Sequence, residues 1–238
     1  MRMEPDAGFN FQSDAKGKDP DSHSPMLRRF HQRLWSKPLP SGGELRLRTD
    51  DPSRYLWASI GSGDVVLKSD SIIQTFSYWQ RMKPILSTID VDDIAAFDDL
   101  SYTIGGMLVW PVGPPSINQD RGTSRAIADR IDLTLECVRL HYAREKHPLE
   151  RALVGNSWFF SLFRDFSGYV EFFLLDDLID TASRSVRFFL PFTGFAASGV
   201  PANLDEYRTF MDRSMRFVEA RNARIAAWLE KHPSDLER

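Results

Sequence analysis

The sequence predicts an α+β protein: a small mixed or antiparallel sheet flanked by several helices, with a long C-terminal helix. Three observations point there. RYLWASI and DVVLK flank a glycine turn, GSG, the pattern of a β-hairpin. LDEYRTFMDRSMRFVEARNARIAAWLEKH repeats Tyr207, Phe210, Met211, Phe217, Val218, Ile225 and Trp228 as an apolar stripe at helical spacing. Strand-like and helix-like segments do not alternate regularly, which argues against a doubly wound parallel sheet.

Taken in order, residues 1–25 are polar and rich in Asp, Lys, Ser and Pro, and predict a flexible N-terminal arm unless Phe9 and Phe11 pin it. Residues 26–238 predict a single α+β domain. Pro25 opens a helix, PMLRRFHQRLW, with Leu27, Phe30, Leu34 and Trp35 on one face. ELRLR alternates as a short strand does. SDSIIQTFSYWQRM predicts a helix capped by Ser69 or Asp70, with Ile72, Ile73, Phe76 and Trp79 at turn spacing and Pro84 disrupting it. DVDDIAAFDDL reads as a short acidic helix or turn. YTIGGMLVWP is the best strand, its Gly-Gly pair marking a bulge or a close backbone approach. Residues 116–142 predict one long helix. PLERALVGNSWFFSLF starts another segment at Pro148. GYVEFFLLDDLID suits a strand by its side chains and a buried helix by its length, and helix is favoured. SVRFFLPF predicts a strand.

Composition limits the function classes. The chain has 238 residues, 42% hydrophobic and 26% charged, which excludes a disordered or fibrous protein. A net charge of −3 disfavours wholesale binding of duplex DNA. Cys137 stands alone, so no intramolecular disulfide forms, which fits a reducing compartment. The N-terminus lacks an apolar signal core, and runs such as FFLL fall far short of the ~20 residues of a membrane span. These features predict a cytoplasmic location and no membrane association.

Chemistry concentrates in residues 116–142. On one continuous helix Arg125, Asp129, Asp132, Glu136 and Arg139 form a narrow stripe between two apolar flanks. Three carboxylates in two turns could share a proton or hold a divalent cation. The competing reading is a solvated edge neutralised by i,i+3 and i,i+4 ion pairs. Arg130, on the opposite strip, needs a carboxylate partner if buried. Before the helix, Asn118, Arg121 and Gly122 sit in a predicted loop whose free amides and helix terminus favour an anion, with Arg121 and Arg125 as donors. The competing reading there is a loop capped by Thr123 or Ser124. The N-terminal stretch adds a basic patch with Arg28 and His31, suited to a phosphate or to a solvated helix face. Asp176, Asp177 and Asp180 oppose a helix dipole and call for partners such as Arg184 or Arg187. Walker A, GxGxxG, zinc and nucleophile-elbow signatures are absent, so no cofactor and no metal ligand set is assigned. Cys137 reads as inert core.

DPDSHSPMLRRFHQRLWSKPLPSG, SDSIIQTF, YTIGGMLVWP, the 116–142 segment and GYVEFFLLDDLI together resemble an uncharacterised family of small bacterial proteins, a domain of unknown function. The resemblance runs from the N-terminal arm to RNARI. It implies a bacterial, cytoplasmic, single-domain protein and carries no activity. The residues themselves favour a phosphate-bearing, nucleotide-like small ligand held by Asn118, Arg121, Gly122, Arg125 and Arg130, with Arg28 and His31 beside them. Asp129, Asp132 and Glu136 are the catalytic candidates should the protein act on that ligand. A non-catalytic protein-interaction module is the alternative, and a metal-dependent, toxin-like enzyme acting on RNA the third reading.

Overall fold

The computed structural model describes residues 6–61 and 63–233. An α+β fold is observed, with short helices around two small antiparallel sheets and one long C-terminal helix. The N-terminal stretch lies against the body from Asp6 onward; residues 1–5 of the predicted arm fall outside the described residues. Phe11 is fully buried, its ring edge-on to Phe30, and its amide donates to Tyr102 O at 3.0 Å. The anchoring comes from two aromatics inside a polar stretch, a signal that average composition hides.

Helix α1 (Pro20–His23) leads into α2 (Pro25–Trp35), capped by Ser24, whose hydroxyl accepts from Leu27 N at 3.0 Å. The apolar face of α2 enters the core as its spacing predicts. Strands β1 (Lys37–Pro38) and β2 (Glu44–Leu45) pair, and ELRLR continues only as far as a bridge between Arg48 and Trp57. The hairpin joins β3 (Leu56–Ile60) to β4 (Gly63–Ser71) in the register Leu56↔Leu67; Ser62 of its turn lies outside the described residues. Strand β5 (Met107–Pro111) pairs with the far half of β4, so β4 is central.

Three expectations are corrected. Residues 69–82 do not form a helix: Ser69 to Ser71 complete β4, residues 72–79 are irregular, and Phe76 is left-handed (φ 60°). Ladder bonds to β5 outcompete a helix cap at this position, because Ser69 and Asp70 pair with Val109 and Leu108. SVRFFLPF contributes one bridge, Ile179↔Val186, and no strand. The 116–142 segment breaks into α5 (Ile117–Thr123) and α6 (Ile131–Ala143), with an irregular connection at 124–130.

Helices α3 (Lys83–Leu86) and α4 (Val91–Ser101) precede β5. Helices α7 (Glu150–Gly155), α8 (Ser157–Ser161) and α9 (Phe166–Phe172) build an aromatic layer under the sheet, with Phe163 packed on Tyr169, Phe172 and Phe173. The ambiguous GYVEFFLL segment is helical, as favoured, up to the left-handed Leu174. Helix α10 (Leu204–Lys231) crosses the turn before β5. There Arg221 donates to Gly105 O (2.8 Å), Met107 O (2.9 Å) and Phe173 O (3.0 Å), and Asn222 accepts from Gly105 N at 2.6 Å.

The Gly-Gly pair is a close approach. A Cβ on Gly105 would stand 2.5 Å from Val218 O, and one on Gly106 would fall on the Ser101 carbonyl oxygen. Gly106→Ala is therefore expected to cost about 1–3 kcal/mol, read as a lower midpoint in urea unfolding. Gly122→Ala, whose methyl meets nothing within 4 Å, is the control that keeps the midpoint or raises it. An unchanged midpoint for Gly106→Ala would contradict the packing described.

Candidate functional site

The break in the 116–142 segment rearranges every charge predicted on it. Ser116, not Thr123 or Ser124, caps α5, accepting from Gln119 N at 3.2 Å. Residues 118–122 are therefore helical, with Asn118 half-buried and Gly122 exposed, and the predicted loop of free amides does not form. The connection then folds back through a turn in which Ala128 N donates to Ser124 O at 2.7 Å and Asp129 N to Arg121 O at 3.2 Å. Ala128 and Asp129 are both left-handed, with φ 51° and 58°. Non-glycine residues adopt this conformation at a cost of roughly 1–2 kcal/mol each, so something must hold them there.

Arg121 does. Its side chain is fully buried and pairs with Asp129 at 2.9 Å and with Asp70 of β4. Its Nε donates to Thr134 Oγ1 at 3.2 Å, and its guanidinium carbon lies 5.6 Å from the centre of the Trp110 ring. With its donors committed inward, Arg121 is not presented to a solvent anion, which corrects its predicted role. A third carboxylate, Asp21 of α1, is close by and accepts from Ser71 N at 3.2 Å. Burial pushes the Asp70 carboxyl up to about 7, helped by the nearby charges of Asp129 and Asp21 and opposed by Arg121. Burial, then Asp19, pushes Asp21 up to about 6. Asp129 is raised by burial, against Arg121. Burial also disfavours the Arg121 charge, yet Asp129 and Asp70 together hold its pKa above the ordinary value. One guanidinium compensates fully for one carboxylate; two pair with it, and Asp21 adds a third negative charge nearby.

The other predicted residues go elsewhere. Buried Asp132 takes Arg130 Nε at 3.1 Å and Phe189 N at 2.8 Å, while Arg130 Nη1 donates to Gly199 O at 2.8 Å. Glu136 receives a two-pronged pair from Arg139 at 2.7 and 2.8 Å. Asp129, Asp132 and Glu136 thus each serve a different arginine. Among the described residues no three His, Cys, Asp or Glu side chains come together as metal ligands. Arg28 donates to the carbonyls of Tyr55, Thr49 and Arg54 and so closes the turn before β3.

His31 is buried with its Nδ1 accepting from Trp35 Nε1 at 2.9 Å. The indole can only donate, so the imidazole proton sits on Nε2 and points to Ser69 Oγ at 2.8 Å. This tautomer cannot take a proton from Ser69, and burial, then Arg221, pushes His31 down to about 3. The pair is structural. Cys137 is buried, and its thiol is pushed well up by burial, as its inert role requires. Asp177 pairs with Arg224 of α10 at 2.9 Å, not with Arg184 or Arg187; Arg187 stands 3.7 Å from Asp180.

Of the predicted ligand residues, Arg130 borders a small pocket of about 30 Å³ beside Gly199, and Arg125 faces a wider opening. It lines an open groove of about 510 Å³ with Thr123 and Ser124 on one wall and Tyr78, Trp79, Gln80 and Arg81 on the other. Arg81 lies over Trp79, 4.7 Å from the ring centre, and Tyr78 is 89% exposed. Among the described residues neither Arg81 nor Arg125 forms an ion pair. Asp21, Tyr78 and Arg81 were not singled out from sequence, and Asp70 and Trp79 only as a helix cap and part of a helix face. The signal for Asp70 was the period-two run DVVLKSDS, which places Lys68 and Asp70 on one strand face.

The chain matches, over residues 5–225, the sequence model described as "Family of unknown function (DUF6994)". No curated protein and no solved structure matches it. Among the described residues no helix is long and apolar enough to cross a membrane.

Asp132→Ala strips the buried Arg130 of its carboxylate and is expected to cost about 3–5 kcal/mol. Arg139→Ala, on the partly exposed pair with Glu136, should stay within about 1 kcal/mol. Guanidinium unfolding of both variants checks the contrast, and equal losses would mean that the Arg130 pair does not pin the 186–200 segment.

Proposed function

We propose that the chain, which belongs to the DUF6994 family of unknown function, binds an anionic, aromatic small molecule of nucleotide type in the groove between residues 78–81 and 123–125. The observation that carries this reading is the pair of unpaired arginines, Arg81 and Arg125, which meet across one groove from separate parts of the chain. Guanidinium groups match phosphate oxygens two at a time. Trp79 and Tyr78 offer ring faces for a base, and Arg81 is already oriented by its stacking on Trp79. The Thr123 hydroxyl, which donates to Gln119 O at 2.8 Å, keeps lone pairs free for a ligand donor. The anion-binding role expected around the start of the 116–142 segment moves here from Arg121 to Arg125. The groove holds no cluster of acid, base and nucleophile, so the reading is of binding, without a reaction step.

A surface for a protein partner is the competing reading, favoured by the 89% exposure of Tyr78 beside an open groove. Titration with AMP and with inorganic phosphate, followed by isothermal calorimetry and tryptophan fluorescence, separates the two. AMP is expected to bind and quench Trp79, with the quenching absent in Trp79→Phe. Arg81→Ala and Arg125→Ala should each weaken AMP by about five- to tenfold, and added salt should weaken it further. Binding that survives both substitutions unchanged would sink the groove assignment. No binding of either probe would favour the partner surface.

A further inference from the structure

The ion cluster beneath this groove has an arrangement that simple stability does not require. Two carboxylates from separate elements pair with one buried guanidinium, Asp70 from β4 and Asp129 from the 124–130 connection, and a third, Asp21 from α1, adds its charge from beside Ser71. Asp21 Oδ1 and Asp129 Oδ1 are buried without a well-formed hydrogen bond among the described residues. The connection that Asp129 belongs to is left-handed at two successive residues, and the Arg121 pair is what docks it. Arg125, on the same connection four residues from Asp129, forms a wall of the groove.

We propose that the Arg121 cluster is a proton-operated latch. With one proton shared among Asp21, Asp70 and Asp129, the 124–130 connection stays docked and the Arg125 wall is formed. Loss of that proton leaves two negative charges on one guanidinium with a third, Asp21, beside them, and the connection loosens. The groove reading supplies the consequence at Arg125; the latch itself rests on the cluster alone.

Among the described residues the surroundings hold no second cation of equal reach. Lys68, on the same strand face as Asp70, is exposed and only partly offsets the Asp21 charge, while Asp19 adds to it. Tyr55 and Tyr102 face Asp21 with hydroxyls that burial pushes up, to about 12 for Tyr102, so they stay neutral. Tyr169, also pushed up by burial, faces Arg121 and is likewise neutral. Asp14 and Arg28 lie beyond Tyr55 with opposite charges.

The sign follows from linkage. A carboxyl whose folded pKa is raised keeps its proton in the folded state after the unfolded chain has lost it. Stability therefore falls as pH rises from about 4, the unfolded value, through about 6 for Asp21 and about 7 for Asp70, and levels off above.

Carbon-13 carboxyl NMR on the ligand-free, full-length protein tests the latch without involving the groove. The expected result is a carboxyl of this cluster titrating near pH 7. Exchange of the Ala128 and Asp129 amides, corrected for intrinsic base catalysis, should speed up about tenfold between pH 5.5 and 8. Asp70→Asn should remove both effects, and Asp21→Asn should weaken them if Asp70→Asn does not fold. Three carboxyls all titrating below pH 5 would overturn the proposal, as would exchange that does not change with pH. If AMP binding fails while the titration holds, only the groove reading falls.

Discussion

Buried guanidinium groups hold this fold together where secondary structure does not. The two sheets are small, and irregular segments at 72–79, 124–130 and 179–203 run against the core. Their carbonyls leave water and need donors. Arginine brings five N–H groups in a rigid fork, so one side chain can serve several strands of irregular backbone. Arg221 ties α10 to the turn before β5 and to the end of α9 through three carbonyls. Arg130 joins the start of α6 to Gly199, and its partner Asp132 captures the Phe189 amide, so the pair pins the 186–200 segment at both ends. Arg213 caps the Phe188 and Phe189 carbonyls from outside, and Arg28 does the same for the turn before β3.

These buried charges are balanced in three different ways, and the differences locate function. Arg130 meets one carboxylate in a closed, two-pronged pair. Arg221 meets none among the described residues, and burial brings it down to about 9 while its charge helps keep His31 neutral. Arg121 meets a surplus. Two unit charges 4 Å apart interact by about 4 kcal/mol at the effective dielectric of a protein surface. A second carboxylate beside one guanidinium therefore meets repulsion comparable to the attraction it gains, and Asp21 adds to it. Burial raises the Asp70 and Asp21 carboxyls toward neutral pH, which sets this arrangement apart from the other two.

Much of the fold was legible because its elements announce themselves locally. The α2 face, the hairpin, the Gly-Gly approach and α10 all follow from spacing within one element. The misreadings share a cause: a partner distant in sequence decided the outcome. Asp70 reads as a helix cap until β5, some 40 residues on, offers ladder bonds to Ser69 and Asp70. Asp177 finds Arg224 across 47 residues rather than a neighbour. The SVRFFLPF stretch has the composition of a strand but is fastened by Asp132 of α6 and Arg213 of α10 instead of by a neighbouring strand. The site was legible in part. The requirement that Arg130 find a carboxylate could be stated in advance. That Arg121 would turn inward could not, because its carboxylate partners lie on β4 and on a connection that periodicity merges into a helix.

That merging matters most. On an unbroken helix Arg125 and Asp129 stand at i,i+4 and neutralise each other, which is the solvated edge that the spacing suggests. The break at 124–130 reverses the chain, so that Asp129 reaches back to Arg121, eight residues earlier and unreachable along a straight helix face. Arg125 loses its nearest counter-ion by the same rearrangement and is left exposed on the groove wall. The two left-handed residues are the local cost of that exchange, and the Arg121 pair is what offsets it. One departure from helical geometry therefore produces both the surplus of negative charge inside and the unpaired positive charge outside. The groove and the ion cluster are two faces of a single backbone decision, joined by the five residues from Arg125 to Asp129.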